Sequence, residues 1–200
     1  MATAPAAPRV VIAEDEAIIR LDLRETLVAQ GYDVVGEAAR GDDAVDLVRE
    51  LHPDLVILDV KMPGLDGLSA ARLIAADRLA AVLVLTAFSQ RELVAEARDA
   101  GALAYLVKPF QTSDLLPAIV TALGRFEQIV ALEKENSDLA ERLEARKIID
   151  RAKGVLMDNH DMTEAQAWRF LQTEAMNRRT KVHEIAAQVV SGDLAPSDAA

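Results

Sequence analysis

Cysteine is absent from the 200 residues, which excludes disulfides, thiolate metal sites and cysteine nucleophiles. The opening MATAPAAPR has neither a basic n-region nor a long apolar run. No stretch approaches the ~18 uninterrupted apolar residues of a membrane span, so a soluble, cytoplasmic protein with no membrane partner is expected. Neither Gly-x-Gly-x-x-Gly nor the phosphate-cradling Gly-x-x-x-x-Gly-Lys follows any apolar run, which removes support for a nucleotide-binding reading. Positive charge is scarce overall, with a net charge of -11. That deficit is uneven. Residues 1–139 hold 13 Lys+Arg against 23 Asp+Glu, whereas residues 140–195 hold nine of each. An objection to nucleic acid on grounds of charge therefore applies to the first part only.

What is present is a chain with 51% hydrophobic residues, enough for a core and a second, smaller domain. Short Val/Ile/Leu runs at 9–13, 54–59, 81–86 and 103–107, with the more polar DVVGEA at 33–38, read as strands. Helical patterns separate them at 16–30, 41–51, 65–77 and 89–99, and a fifth starts near 112. Five alternations predict right-handed βαβ units, hence one doubly wound parallel sheet of five strands with helices on both faces. From about 115 to 157 the chain reads as nearly unbroken helix, with Ile129, Leu132, Asn136, Leu139 and Leu143 along one stripe at coiled-coil spacing. Thr163 and Gln166 have capping-box spacing before a helix carrying Ala167, Leu171 and Ala175. A last helix spaces Val182, Ile185, Ala186, Val189 and Val190, ends at Gly192, and leaves a frayed tail.

In an open parallel sheet, functional groups gather beyond the carboxyl ends of the strands, where strand order reverses. The first strand ends in Glu14-Asp15-Glu16 and the third in Asp59. Carboxylates crowded there repel unless a hard cation such as Mg²⁺ neutralises them. The fourth strand ends in Thr86-Ala87 and the fifth in Lys108-Pro109, whose preceding bond can be cis. The set suits phosphoryl transfer onto a carboxylate. Asp59 would be the nucleophile, Mg²⁺ would supply positive charge to carboxylate and phosphoryl oxygens, and Thr86 and Lys108 would hold the rest. An ionised carboxylate needs no general base.

Residues 8–124 resemble a response-regulator receiver domain of the flavodoxin-like, CheY type. The likeness rests on Glu14-Asp15, Asp59 with Met62-Pro63 and Asp66-Gly67, Thr86-Ala87, Gly101-Ala102 and Lys108-Pro109-Phe110. It implies phosphate supplied by a sensor histidine kinase, and Mg²⁺ held by Asp15, Asp59 and the Lys61 carbonyl. Glu14 departs from the Asp that many members have here, and its longer arm would reach the metal through water. Tyr105 matches an aromatic that reorients as Thr86 is drawn to the phosphate, the alternative being plain core.

The string Arg146–Met157, with Ala152-Lys153-Gly154, Met162-Thr163-Glu164, Ala167-Trp168, Leu171, Ala175-Met176 and Arg178-Arg179, resembles an ANTAR domain. This is the three-helix RNA-binding output of antiterminators, and the resemblance implies paired RNA hairpins with six-base loops. Candidate RNA contacts are Arg146, Lys153, Gly154, Trp168, Arg178, Arg179 and Lys181, with Arg142 on the same face as Arg146 and Lys153. Trp168 is either a base-stacking platform or packing between helices. Gly154 inside a helix suggests close approach by another helix or by RNA. His52, His160 and His183 read as surface residues.

The expected organisation is a disordered 1–8, a receiver at 9–124, a coiled-coil linker at 125–145, the ANTAR domain at 146–192 and a disordered 193–200. The expected function is phosphorylation-activated RNA binding as a homodimer, acting by antitermination or translational control. A DNA-binding regulator is disfavoured because the tail lacks the tight glycine turn of a helix-turn-helix. A protein-binding adaptor accounts less well for the clustered Arg and Lys. No enzyme is expected beyond self-catalysed aspartyl phosphorylation and dephosphorylation.

Overall fold

The computed structural model describes residues 6–87 and 91–196. The chain divides into two compact units, residues 1–131 and 132–200. The first contains strands β1 (Arg9–Ala13), β2 (Asp33–Ala38), β3 (Leu55–Asp59), β4 (Ala81–Thr86) and β5 (Ala104–Val107). Helices α1 (Ala17–Ala29), α2 (Gly41–Leu51), α3 (Gly67–Ala76) and α4 (Arg91–Asp99) lie between them. The helix expected from residue 89 is described from Arg91 on, and residues 89 and 90 lie outside the described residues. All pairings are parallel, in the order β2-β1-β3-β4-β5. This is the flavodoxin-like doubly wound sheet that the strand and helix pattern predicts.

Alternation along the strands produces two cores. Successive side chains point to opposite faces, so one face collects Val11, Ala13, Val56, Leu58, Val82 and Val84 beneath α2, α3 and α4. The other collects Val10, Ile12, Leu55, Ile57, Leu83 and Leu85 beneath α1 and the start of a long helix, α5 (Thr112–His160). The polar run of β2 is explained by its place at the sheet edge.

Within α5 an 18-residue window reaches a mean hydropathy of 1.5, so the helix is long and apolar enough to cross a membrane by length and composition. That finding departs from the sequence expectation, because a helix can reach this mean without an unbroken apolar run. Its apolar side chains Leu115, Ile119 and Ala122 are fully buried in the core of the first unit, which gives their hydrophobicity a structural role.

The second unit packs three helices. Ala152 and Leu156 of α5, Ala167, Leu171 and Ala175 of α6 (Glu164–Arg178), and Ile185, Ala186 and Val189 of α7 (Val182–Ser191) form one buried core. Four alanines and spaced branched residues let these helices approach closely. The capping box at Thr163 and Gln166 is present in both directions and starts α6. Gly192, at φ 84°, closes α7.

Two terminal expectations need correction. Pro8 already accepts a hydrogen bond from the Asp33 amide at 3.0 Å, and Leu194 packs against the three-helix core. An apolar side chain gains by burial wherever a neighbouring core reaches it. Residues 1–5 and 197–200 lie outside the described residues.

Candidate functional site

β1 and β3 are neighbours, so their carboxyl ends bring Glu14, Asp15 and Asp59 together with ligand oxygens all within 4.8 Å of one another. Glu14 and Asp59 are buried, while Asp15 is exposed. Arg20 of α1 reaches back to donate to the Glu14 carbonyl at 2.5 Å, pinning the turn that presents the pair. Asp59 Oδ2 accepts from the Lys61 amide at 2.9 Å.

Lys108 follows β5 and is joined to Pro109 by a cis bond, as its sequence allows. Its Nζ lies 2.7 Å from Asp59 Oδ1 and 2.5 Å from Glu14 Oε2, so one ammonium bridges both buried acids. Burial pulls the Lys108 pKa down, but the hydrogen bonds it donates to Asp59 and Glu14 outweigh that and leave it raised. Burial dominates at Glu14 and raises its pKa despite the bond to Lys108. Glu14 Oε1 has no hydrogen-bond partner among the described residues. A buried carboxylate oxygen with no donor is costly unless a cation or its water satisfies it. Three hard oxygen donors, one of them open to solvent, fit Mg²⁺.

A cleft of about 240 Å³ brings Asp15, Asp59, Lys61, Ala87 and Lys108 to a common opening. Thr86, one residue behind Ala87 at the end of β4, is buried, and its carbonyl accepts from the Lys108 amide at 2.7 Å. Tyr105 is 47% exposed, so of its two readings plain core does not hold. Two supports were visible only as motif letters in the sequence. Asp66 caps α3, accepting from the Ser69 amide at 2.9 Å and hydroxyl at 2.7 Å. Gly67 lies so close to the Asp59 backbone that a Cβ would sit 1.9 Å from the Asp59 carbonyl oxygen.

In the second unit, Arg142, Arg146 and Lys153 share one face of α5, opposite Trp168 of α6. Trp168 is 38% exposed and stands outside the buried core. Lys153 is committed to carboxylates, 2.9 Å from Asp150 and 2.8 Å from Glu164, and its pKa is raised chiefly by the bond to Asp150. Arg178 pairs with Glu174 at 3.0 Å and donates to Gln188 at 3.1 Å. Arg179 caps α6 in a left-handed conformation, and Lys181 precedes α7. A Cβ at Gly154 would meet nothing within 4 Å, so the close helix neighbour that its sequence suggested is not there. The apolar stripe of α5 stands open at Leu132, Leu139 and Leu143, with Asn136 exposed and Ile129 half-buried.

A parallel sheet with a bridged acid cluster at its switch point defines a receiver. Residues 10–120 match the response regulator receiver domain family and residues 137–190 the ANTAR domain family. The chain belongs to the response regulators, with an ANTAR domain following the receiver. It is 57% identical over 191 residues to the transcriptional regulatory protein PdtaR of Mycobacterium tuberculosis H37Rv, covering 95% of this chain and 93% of that one. Chemotaxis protein CheY of Thermotoga maritima is 39% identical over 112 residues, 56% of this chain and 93% of its own. Among solved structures, the receiver domain of the putative response regulator NarL from Mycobacterium tuberculosis superposes with a TM-score of 0.57. It is 29% identical and covers 60% of this chain and 98% of that one. CheY in a CheX–CheY–BeF3–Mg²⁺ complex from Borrelia burgdorferi gives a TM-score of 0.53 at 26% identity, covering 56% and 85%.

Proposed function

We propose that this chain accepts a phosphoryl group on Asp59 from a sensor histidine kinase and, as a dimer, binds paired RNA hairpins to control antitermination or translation. The observation that carries the first half is the 2.7 Å contact between Lys108 Nζ and Asp59 Oδ1 beside an open Asp15. Lys108 orients the Asp59 carboxylate, a nucleophile that needs no general base. As the phosphorus–nitrogen bond of the donor histidine breaks, an oxygen–phosphorus bond to Asp59 forms. Lys108 is then placed to exchange a carboxylate contact for a phosphoryl oxygen, with the Thr86 hydroxyl taking another. Asp15, Asp59 and the Lys61 carbonyl would hold Mg²⁺, which supplies positive charge to the transferring group. The location that goes with such a role is the cytoplasm.

The RNA half is supported by the match of residues 137–190 to the ANTAR family together with an exposed Trp168 facing Arg142 and Arg146. Unpaired loop bases are read by stacking and hydrogen bonds, and Arg holds phosphates. A dimer presents two such surfaces, and pairing of hairpins then makes the second contact intramolecular. The test compares the phosphorylated full chain on a hexaloop hairpin and on the same stem with a scrambled loop. Loop readout gives at least a tenfold difference, and equal affinity leaves only electrostatics and ends the antiterminator reading.

A further inference from the structure

We infer that the groove between Trp168 and the Arg142–Lys153 face of α5 takes a single unpaired RNA base, with Arg142 and Arg146 on the flanking phosphates and Lys153 as the clamp that sets the groove. The inference rests on the RNA-binding reading and deepens it by naming where the base goes.

The groove is open, with a volume of about 440 Å³, and its apolar surfaces are Ala145, Ile149 and the Trp168 ring. Neighbouring Ala167 and Leu171 are fully buried, so α6 turns Trp168 toward solvent at the edge of an otherwise closed core. A large aromatic surface left in water is unfavourable by itself and is regained when a flat partner stacks on it.

Charge around the groove distinguishes its residues. Lys153 is satisfied by Asp150 and by Glu164, the first residue of α6. Glu164 and Trp168 are four residues apart, on one face of that helix. The clamp therefore ties the start of α6 to α5 one turn from the indole, and no charge is left over for a phosphate. Arg142 has no hydrogen bond or ion pair among the described residues, and the nearest carboxylate to Arg146, Asp150, is 3.9 Å away at 83% exposure of the arginine. Two available guanidinium groups beside an apolar slot suit a base with its phosphates.

The chain has one tryptophan, so its emission in the full-length protein reports on this groove alone. The probes are a hairpin enriched from a pool with randomised six-base loops for binding to the phosphorylated chain, the same stem closed by six abasic residues, and a decaglutamate peptide. Saturation is followed by anisotropy of the labelled probe. The enriched hairpin should quench the indole at saturation, while the abasic hairpin should bind more weakly and leave emission unchanged. Trp168→Ala should weaken the enriched hairpin by roughly five- to 150-fold without altering the salt slope. Arg146→Ala should flatten that slope by roughly 0.7–0.9. Lys153→Met should lose the preference for bases over abasic loop at an unchanged slope, with Lys153→Arg restoring it. Unquenched emission at saturating hairpin overturns the base pocket and leaves RNA binding standing. Binding of neither hairpin overturns both. Quenching by decaglutamate alone assigns the groove to a protein partner, and a Lys153→Met slope flattened as in Arg146→Ala overturns the clamp.

Discussion

Gly67 and Asp59 touch through their backbones: a methyl group at Gly67 would stand 1.9 Å from the Asp59 carbonyl oxygen and 3.1 Å from the Val60 Cα. The Gly67 amide donates to the Val60 carbonyl at 2.9 Å, so the start of α3 is pressed against the end of β3. Gly67→Ala should therefore destabilise the protein by about 1–3 kcal/mol in urea unfolding and lower phosphate incorporation with Asp59 intact. Gly124→Ala, where a Cβ meets nothing within 4 Å inside α5, is the control and should raise stability by up to about 1 kcal/mol. Equal effects at the two positions would remove the steric account.

Asp66 caps α3, and its pKa is lowered chiefly by the Ser69 side-chain hydrogen bond. A depressed folded-state pKa contributes stability above the unfolded value of 3.8, lost as pH falls through the folded value. Asp66→Ala should cost about 1 kcal/mol at neutral pH. The difference from the parent should shrink as pH drops below 3.8 in paired denaturant titrations.

Asp59→Asn should abolish labelling by a small-molecule phosphodonor, because among the described residues no other carboxylate combines burial with the Lys108 contact and the cleft. Asp15→Asn should retain Asp59 and instead weaken the dependence of labelling on Mg²⁺. Phosphate incorporation unchanged in Asp59→Asn would move the acceptor elsewhere.

Leu132, Leu139 and Leu143 are each more than half exposed on α5, with Asn136 between them. Burying that stripe against a second copy recovers apolar area, and a polar residue at such a position fixes register at some cost in stability. Sedimentation of the full chain should show a dimer with a phosphoryl mimic. Leu139→Asp should return it to monomer without changing phosphate uptake. A gap of a few kcal/mol between states suffices for the phosphoryl group to shift the balance.

Sequence alone determined the elements that depend on local period. The short apolar runs of β1, β3 and β4 read as strands buried on both sides, and once extended their successive side chains fall on two faces. Asp59 at the end of one such strand and Glu14-Asp15 at the end of another are likewise local facts, which the open parallel sheet turns into one site. The capping box at Thr163 lies within four residues and was equally plain.

Tertiary structure alone decided which groups meet. That Lys108 bridges Glu14 and Asp59 joins residues 94 positions apart in one case, and strand order sets that distance rather than any spacing. The tight contact behind Gly67 depends on how α3 docks on β3. In the second unit, Lys153 and Arg146 read alike as basic residues on one helix face. Only the packing of α6 against α5 puts Glu164 within 2.8 Å of Lys153 and leaves Arg146 open to solvent. The same packing keeps Trp168 out of the core, because Ala167 and Leu171 already fill the space between the helices. Hydrophobic period tells each element which face to bury, whereas the neutralisation of a charge depends on partners supplied by other elements.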